Sequence, residues 1–295
     1  MVIADSNKKI IVIDAILIII YKRNRTIPKT RISIGLIMQK LTQIQIEKSL
    51  EYWKYEASNK NVVELAEYNG EKELIINCTQ LGGVPHYDKY KSAREKKRVL
   101  TEWCEFLTEN PDAFTSLSFG TRMPQELFNA VCEQKNLKGL YIKWGVYPDI
   151  SAISKLQKLE YLHIGSGAGV LSIEPLSELK NLVVLSVENF QKIYDYQALA
   201  ELKHLEMLSI EGDVLAPRYI HIDTLNFLRD MKQLRSFSLI AARVKSKDYT
   251  PILELENVEC LCIEARKEVK AIYDQVIKLP KLKYGWVVEH PELYH

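Results

Sequence analysis

The sequence predicts an α/β solenoid, in which short parallel strands stack along one axis and a helical turn follows each strand. Three observations predict it. Apolar triplets recur at a regular spacing over the C-terminal two-thirds of the chain, each triplet has the spacing of a half-buried strand, and a second apolar element of helical period follows most of them. A fixed period of roughly 20 to 29 residues is typical of stacked repeats.

The strand pattern is LxxLxL, with three inward apolar positions. In chain order, the clear copies begin at Leu137, Leu159, Leu182, Leu205, Leu234 and Val258. Successive copies are therefore 22, 23, 23, 29 and 24 residues apart. An earlier copy is expected at Phe114, Leu117 and Phe119, and a degenerate last copy at Leu282, Gly285 and Val287. We expect at most eight strands, in a repeat domain that covers residues 114–295.

The second element of each repeat carries an apolar residue at every third position, as in Ile150, Ile153 and Leu156. This period predicts a helix or a 3₁₀ turn whose apolar stripe faces the strands. One such unit cannot bury its own apolar face, so neighbouring units stack and their strands form a parallel sheet. The helical side is the bulkier one, which puts the sheet on the concave face and the helical turns on the convex face.

Segments such as "IEPLSELKNLVVLSV" from Ile173 and "LAELKHLEMLSI" from Leu199 resemble bacterial leucine-rich-repeat proteins, including internalin-like ones. The resemblance implies a leucine-rich-repeat solenoid and, in general, a role in binding a partner. One departure concerns the asparagine that this family places nine residues into each repeat. That position holds, in order, Gly145, Gly167, Phe190, Asp213, Ala242 and Arg266. We therefore expect irregular turns.

The charge balance excludes a partner that is attracted by the overall electrostatic field of the protein. There are 40 basic and 38 acidic residues, so neither nucleic acid nor an anionic membrane is favoured as a partner. The wide spacing of the five cysteines, which include no CxxC motif, argues against a disulfide framework. We expect a reducing, cytoplasmic location with no metal or other cofactor.

The first 37 residues form a distinct leader with seven Lys and Arg against two Asp, and with an apolar run from Ile10 to Tyr21. The run is too short to span a bilayer, and no cleavage site follows it. Two explanations stay open: a marginal signal anchor, or translation from a start placed upstream of Met38, which we favour.

Residues 38–113 are expected to form a mostly helical N-terminal cap, with a separate small domain as the alternative. A polar helix is predicted from about Leu41 to Glu67 and another from about Asp88 to Glu109, in which Leu100, Trp103, Cys104 and Leu107 share one face. The second helix contains a basic run flanked by Tyr87 and Tyr90. A phosphate-contacting patch is one interpretation of that run, but the solvated face of a capping helix is favoured.

The concave face is the expected binding surface, and strand alternation predicts which side chains point there. Aromatic residues give a large contact area at a small entropic cost, as interfaces require. The partner-binding residues we predict are Tyr141, Tyr161, His163, Ser186, Ser209, Tyr284 and Trp286. For Tyr284 and Trp286, packing against the C-terminal tail is the favoured alternative.

No catalytic motif is recognisable, and the chain is not expected to be an enzyme. His221 and Asp223 lie in the long 29-residue repeat, and we interpret the stretch from Gly212 to Asp223 as an insertion loop, with recognition as an alternative role. Cys260 and Cys262 share a face, but no further ligand accompanies them.

The sequence thus favours a non-catalytic protein-binding or peptide-binding module. The alternative is a structural or regulatory adaptor held at a membrane by its leader.

Overall fold

The computed structural model describes residues 41–49, 60–82, 90–213 and 218–295, and their main feature is a nine-stranded parallel sheet. In chain order its strands are β1 (Asn61–Val62), β2 (Glu73–Ile76), β3 (Ser116–Phe119), β5 (Gly139–Ile142), β7 (Tyr161–Ile164), β8 (Val184–Glu188), β9 (Met207–Glu211), β11 (Ser236–Ile240) and β13 (Cys260–Ile263). Two small ladders stand beside it, β4 (Met123–Pro124) with β6 (Gly145–Val146) and β10 (Ile220–Ile222) with β12 (Ala242–Val244).

The register of the sheet follows the repeat pattern. The fourth position of each copy lies beside the fourth position of the next, so that Leu140, Leu162, Leu185 and Leu208 form one row. All four side chains are fully buried. The predicted leucine-rich-repeat solenoid is confirmed, because the sequence period and the strand register coincide.

The convex layer has helices near both ends of the array and 3₁₀ turns between them. Its helices are α2 (Ala93–Glu109) and α3 (Gln125–Val131), followed by 3₁₀ turns at Ser151–Lys155, Glu174–Glu178, Gln197–Glu201, Asn226–Asp230 and Thr250–Glu254, and then by α4 (Lys267–Lys270) and α5 (Tyr273–Val276). The third-position stripe that the sequence predicted is buried in each turn, for example at Ile153, Leu176 and Leu199. Strands and turns therefore share one continuous core.

The sheet begins earlier than the repeat pattern predicted. β1 and β2 pair in parallel and join β3, so the strands of the main sheet number nine within the described ranges rather than at most eight. The helix predicted from Leu41 to Glu67 is also wrong in extent, because helix α1 covers only Gln43–Lys48 and a strand begins at Asn61. The predicted boundary at residue 114 stays a prediction, and the parallel sheet runs across it.

Helix α2 anchors this first part of the array. Ser92 caps it: the Ser92 hydroxyl accepts a hydrogen bond from the Glu95 amide (3.1 Å), and the Ser92 amide donates one to Glu95 Oε2 (3.0 Å). Trp103 is fully buried, and its indole N–H donates to the Val63 carbonyl at 2.8 Å. A buried Trp with a satisfied N–H ties the helix to the chain next to β1.

The degenerate last copy is not a full strand. Tyr284 forms a single bridge to Cys260, and Gly285 then adopts a φ of 92°, after which helix α6 (Trp286–Glu289) begins. A Cβ atom at Gly285 would lie 2.3 Å from the Leu261 carbonyl oxygen. A residue without a side chain is required here, since both the positive φ and the close approach exclude one.

No helix in the described residues is long and apolar enough to cross a membrane. The leader of residues 1–37, with its two interpretations, lies outside the described residues.

The concave face as candidate binding surface

Two rows of side chains run across the concave face. The third repeat positions form one row, which includes Tyr161, Val184, Met207, Ser236 and Cys260, and the fifth positions form the other, which includes Tyr141, His163, Ser186, Ser209 and Ser238. Each row places one side chain per strand, because parallel strands in register set equivalent residues side by side.

The structure brings Tyr141, His163 and Ser186 together on three neighbouring strands. The rings of Tyr141 and His163 stack with their centroids 4.5 Å apart and their planes 11° apart. On its other side, His163 Nδ1 lies 2.9 Å from the Ser186 hydroxyl oxygen. Tyr161 is partly buried beside them, and burial together with the nearby Tyr141 raises the pKa of its hydroxyl far above the ordinary value.

The other predicted residues lie apart from this group. Ser209 is fully buried and donates to Glu211 Oε1 at 2.6 Å. Tyr284 and Trp286 lie at the C-terminal end of the array and are partly buried, Tyr284 in the bridge to Cys260 and Trp286 at the start of α6. Binding of a partner by any of the seven residues stays a prediction.

The concave face is not an open surface. Small polar side chains in the middle of the two rows are almost inaccessible, with exposures of 2% for Ser186, 0% for Ser209 and 1% for Ser236. Val184 and Met207 are buried as well. This part of the sheet is therefore covered on both sides.

A row of charged residues runs along the edge where the strands begin, at the second repeat position. Lys138 pairs with Glu160 (3.0 Å) in the first half of the array. In the second half, Arg235 lies between two carboxylates, 3.0 Å from Glu206 and 2.7 Å from Glu259. We call Glu206, Arg235 and Glu259 the edge triad. It carries one positive and two negative charges, so its carboxylates can accept further donors.

Those further donors come from the segment Leu41–Ser49. The Leu41 amide donates to Glu206 Oε2 (3.0 Å), and Arg235 Nη1 donates to the Leu41 carbonyl (2.6 Å). At the other end of the segment, the Ser49 hydroxyl lies 3.4 Å from that of Ser236. The segment thus covers the concave face beside β9 and β11.

The electrostatics of Glu259 reflect both its burial and its partners. Burial alone would raise the pKa of its carboxyl, but hydrogen bonds from Arg235 and Gln43 and the charges of Arg235 and Lys283 outweigh burial and lower the pKa. The carboxylate therefore stays ionised against the concave face. An ionised, nearly buried acceptor favours N–H donors of the kind that Gln43 supplies.

Sequence reasoning missed the edge triad and the segment that binds it. Two signals were available. Aligning the second repeat positions places Glu206, Arg235 and Glu259 in consecutive copies. Thr42 and Gln45 have the spacing of a capping box, which the structure contains and which marks a helix start inside the predicted longer helix.

Two other candidate features have contacts of their own within the described residues. His221 lies on the small β10–β12 ladder opposite Arg243, while Asp223 pairs with Lys245 (2.8 Å) instead. In the basic run, Tyr90 is buried with its hydroxyl donating to Glu64 (2.7 Å), so it is not available for stacking on a ligand. Tyr87 lies outside the described residues.

Cys260 and Cys262 form a thiol pair rather than part of a larger cluster. Their mutual hydrogen bond, with burial, raises the pKa of Cys262. Among the residues that the structure describes, no three His, Cys, Asp or Glu side chains are grouped as a metal site would require.

Comparison with known proteins gives structural likenesses only. No protein-family model matches the sequence, and no curated protein matches it. An internalin (inlF) from Listeria monocytogenes has a TM-score of 0.45 at 21% identity, over 59% of this chain and 54% of that one. An internalin C2 (inlC2) from the same organism has a TM-score of 0.48 at 19% identity, over 63% and 80% of the two chains.

A third solved structure, PEPR1–AtPEP1, has a TM-score of 0.37 at 13% identity, over 59% of this chain and 28% of that one. The chain spans about half the length of the inlF internalin and less of PEPR1. Two of these three are internalins, the type that the repeat sequence resembles.

Proposed function

We propose that this chain is a non-catalytic binding module that holds a segment of a protein or peptide partner on its concave face. The proposal rests on the hydrogen bonds that Glu206 and Arg235 form with the main chain of Leu41. One side chain accepts the peptide N–H and the other donates to the C=O of the same residue. Every peptide presents this donor and acceptor, so the contact suits peptide chains as a class.

Specificity would come from the aromatic part of the face. Tyr141 and His163 are already stacked, and Ser186 fixes His163 from the other side. A ring held in place loses little further freedom on binding, which favours affinity. Tyr161 adds contact area, while Ser209, Tyr284 and Trp286 extend the proposed surface towards the C-terminal end of the array.

We propose a cytoplasmic location for the module. All five cysteines lie among the described residues, and each is a free thiol. Unpaired thiols are typical of reducing compartments, which supports this location.

The test is a displayed library of random peptides, panned against the full chain and against the Ile46→Asp chain, in which the covering segment loses a buried anchor. Enriched peptides are then measured by fluorescence anisotropy on the better-binding chain, with and without the Tyr141→Ala/Tyr161→Ala change. We expect at least tenfold weaker binding by the double variant. The matched control is Tyr194→Ala, an exposed aromatic outside the two concave rows, which should leave affinity unchanged. Failure of both chains to enrich any peptide would overturn the proposal.

A further inference from the structure

We propose that Leu41–Ser49 is a displaceable internal ligand, which closes the β9–β11 part of the concave face until a partner segment of like chemistry competes for the same contacts. The inference rests on the proposed function. It concerns how the site is regulated and what kind of segment fits it.

The segment is held by contacts that a separate peptide would also make. The edge triad binds the amide and carbonyl of Leu41 and the side chain of Gln43. Ser49 meets Ser236 across the sheet. None of these contacts depends on Leu41 being part of the same chain as the solenoid.

Two apolar anchors supplement the polar contacts. Leu41 is 3% exposed and Ile46 is fully buried, whereas Ile44 in the same short helix is 49% exposed. Leu41 directly precedes the N-cap Thr42, and Ile46 is the fourth residue of the helix. This is the spacing of a hydrophobic staple. One face of the segment is therefore built for burial and the other for solvent.

The segment can leave without dismantling the solenoid. Neither Leu41 nor Ile46 belongs to the continuous core cluster, while the anchors of helix α2, Val99, Trp103 and Leu107, all do. Helix α1 has six residues, too few to persist in water without the sheet beneath it. Its structure and its docking are thus formed and lost together.

The contacts define the chemistry of a competing segment. Its first apolar residue would lie at the position of Leu41, with its main chain facing the edge triad. Thr or Ser would follow and begin a helical turn. An amide side chain would reach Glu259, and a second apolar residue would lie five positions after the first. An acidic residue at the position of Gln43 would be repelled by Glu259, which supplies discrimination.

The direct test uses an acetylated and amidated peptide of residues 41–49, labelled for fluorescence anisotropy, and full-length chains. We expect the Ile46→Asp chain to bind this peptide at least tenfold more tightly than the wild type, because its own segment no longer occupies the face. Ile44→Asp is the matched control, since it adds the same charge on the exposed side of the same helix. It should behave as wild type. Equal affinity for all three chains would overturn the inference.

An engineered disulfide, called the lock, provides a second test that does not depend on the folding of the Ile46→Asp variant. Ser49→Cys with Ser236→Cys places two thiols where the hydroxyl oxygens lie 3.4 Å apart, and Cys260→Ser with Cys262→Ser removes competing thiols. Oxidation should reduce binding of the peptides enriched in the panning experiment by at least tenfold, and reduction should restore it.

The inference and the proposed function fail differently. Peptides that bind the locked and unlocked chains equally would overturn the internal ligand and leave the binding module intact. Absence of peptide binding to every chain would instead overturn the proposed function.

Discussion

Arg235 Nη1 donates to the carbonyl oxygen of Leu41 at 2.6 Å, although the two residues are 194 positions apart in the sequence. The same guanidinium reaches Glu206 and Glu259 on either side. Its three partners come from two neighbouring strand edges and from the segment that covers the sheet. Arg235 therefore joins the repeat array to its own N-terminal segment.

Arg235→Ala is expected to lower the free energy of unfolding by roughly 2 to 4 kcal/mol, because it removes the cation that the nearly buried Glu206 and Glu259 share and leaves Glu259 with Lys283 at 3.6 Å. Urea denaturation followed by circular dichroism measures the change. Arg98→Ala is the control: its guanidinium pairs with Glu64 and Glu102 at the surface, where ion pairs contribute about 0 to 1 kcal/mol. Equal effects of the two substitutions would contradict the special role of Arg235.

Acidification should weaken the edge triad through Glu259. The pKa of this carboxyl is lower in the folded chain than its ordinary value of 4.5, so its stabilising contribution is present above pH 4.5 and is lost as the pH falls through the folded value. The wild type should therefore be more stable than Glu259→Gln at neutral pH, and this difference should shrink below pH 4.5. Denaturation midpoints of both chains across this range provide the measurement, and a constant difference would argue against the assignment.

Leu185→Ala tests the core in the middle of the array. The side chain is fully buried between the sheet and the 3₁₀ layer, so its truncation should cost about 2 to 5 kcal/mol. Leu171, which is 62% exposed, is the matched control, and Leu171→Ala should change the free energy of unfolding by no more than about 0.5 kcal/mol. An unchanged denaturation midpoint for Leu185→Ala would be incompatible with its place in the core.

Gly285→Ala tests the end of the sheet. The new methyl group would meet the Leu261 carbonyl and would require a positive φ, so we expect destabilisation of about 1 to 3 kcal/mol. At Gly169, a Cβ atom meets nothing within 4 Å and φ is not positive, so Gly169→Ala should be neutral or slightly stabilising. Thermal unfolding of the two variants compares their stabilities. A Gly285→Ala chain as stable as the wild type would mean that the chain does not adopt this conformation at residue 285.

The sequence predicted the central strands because one physical rule governs them. Apolar residues at the fourth repeat position, leucine in every copy except that of Phe237, must face the core, and their recurrence sets the register from β3 to β13. The strands β1 and β2 lack the full triplet: β2 keeps Leu74 beside Leu117, but Glu71 stands where the first apolar residue of a copy belongs. Their place in the sheet depends on packing against helix α2, which no local period reveals.

The residues of the candidate surface could be predicted from the sequence, but their burial could not. Alternation identified correctly which side chains lie on the concave face, including Tyr141, His163 and Ser186. It carried no indication that the serines of this face are buried. Their burial follows in part from contacts between residues more than 160 positions apart, such as Leu41 and Glu206, and spacing within one repeat carries no information about such contacts.

The gap in the charged edge has a consequence for how the number of repeats can change. At Val183 the row holds a buried aliphatic side chain, which separates Lys138 and Glu160 from the edge triad. A duplicated copy of residues 183–205 would set one valine beside another, whereas a duplicate of the repeat that starts at Glu206 would set two glutamates side by side. Lengthening by duplication is therefore electrostatically neutral at this repeat, and the solenoid can gain a unit there while both charged groups keep their neighbours.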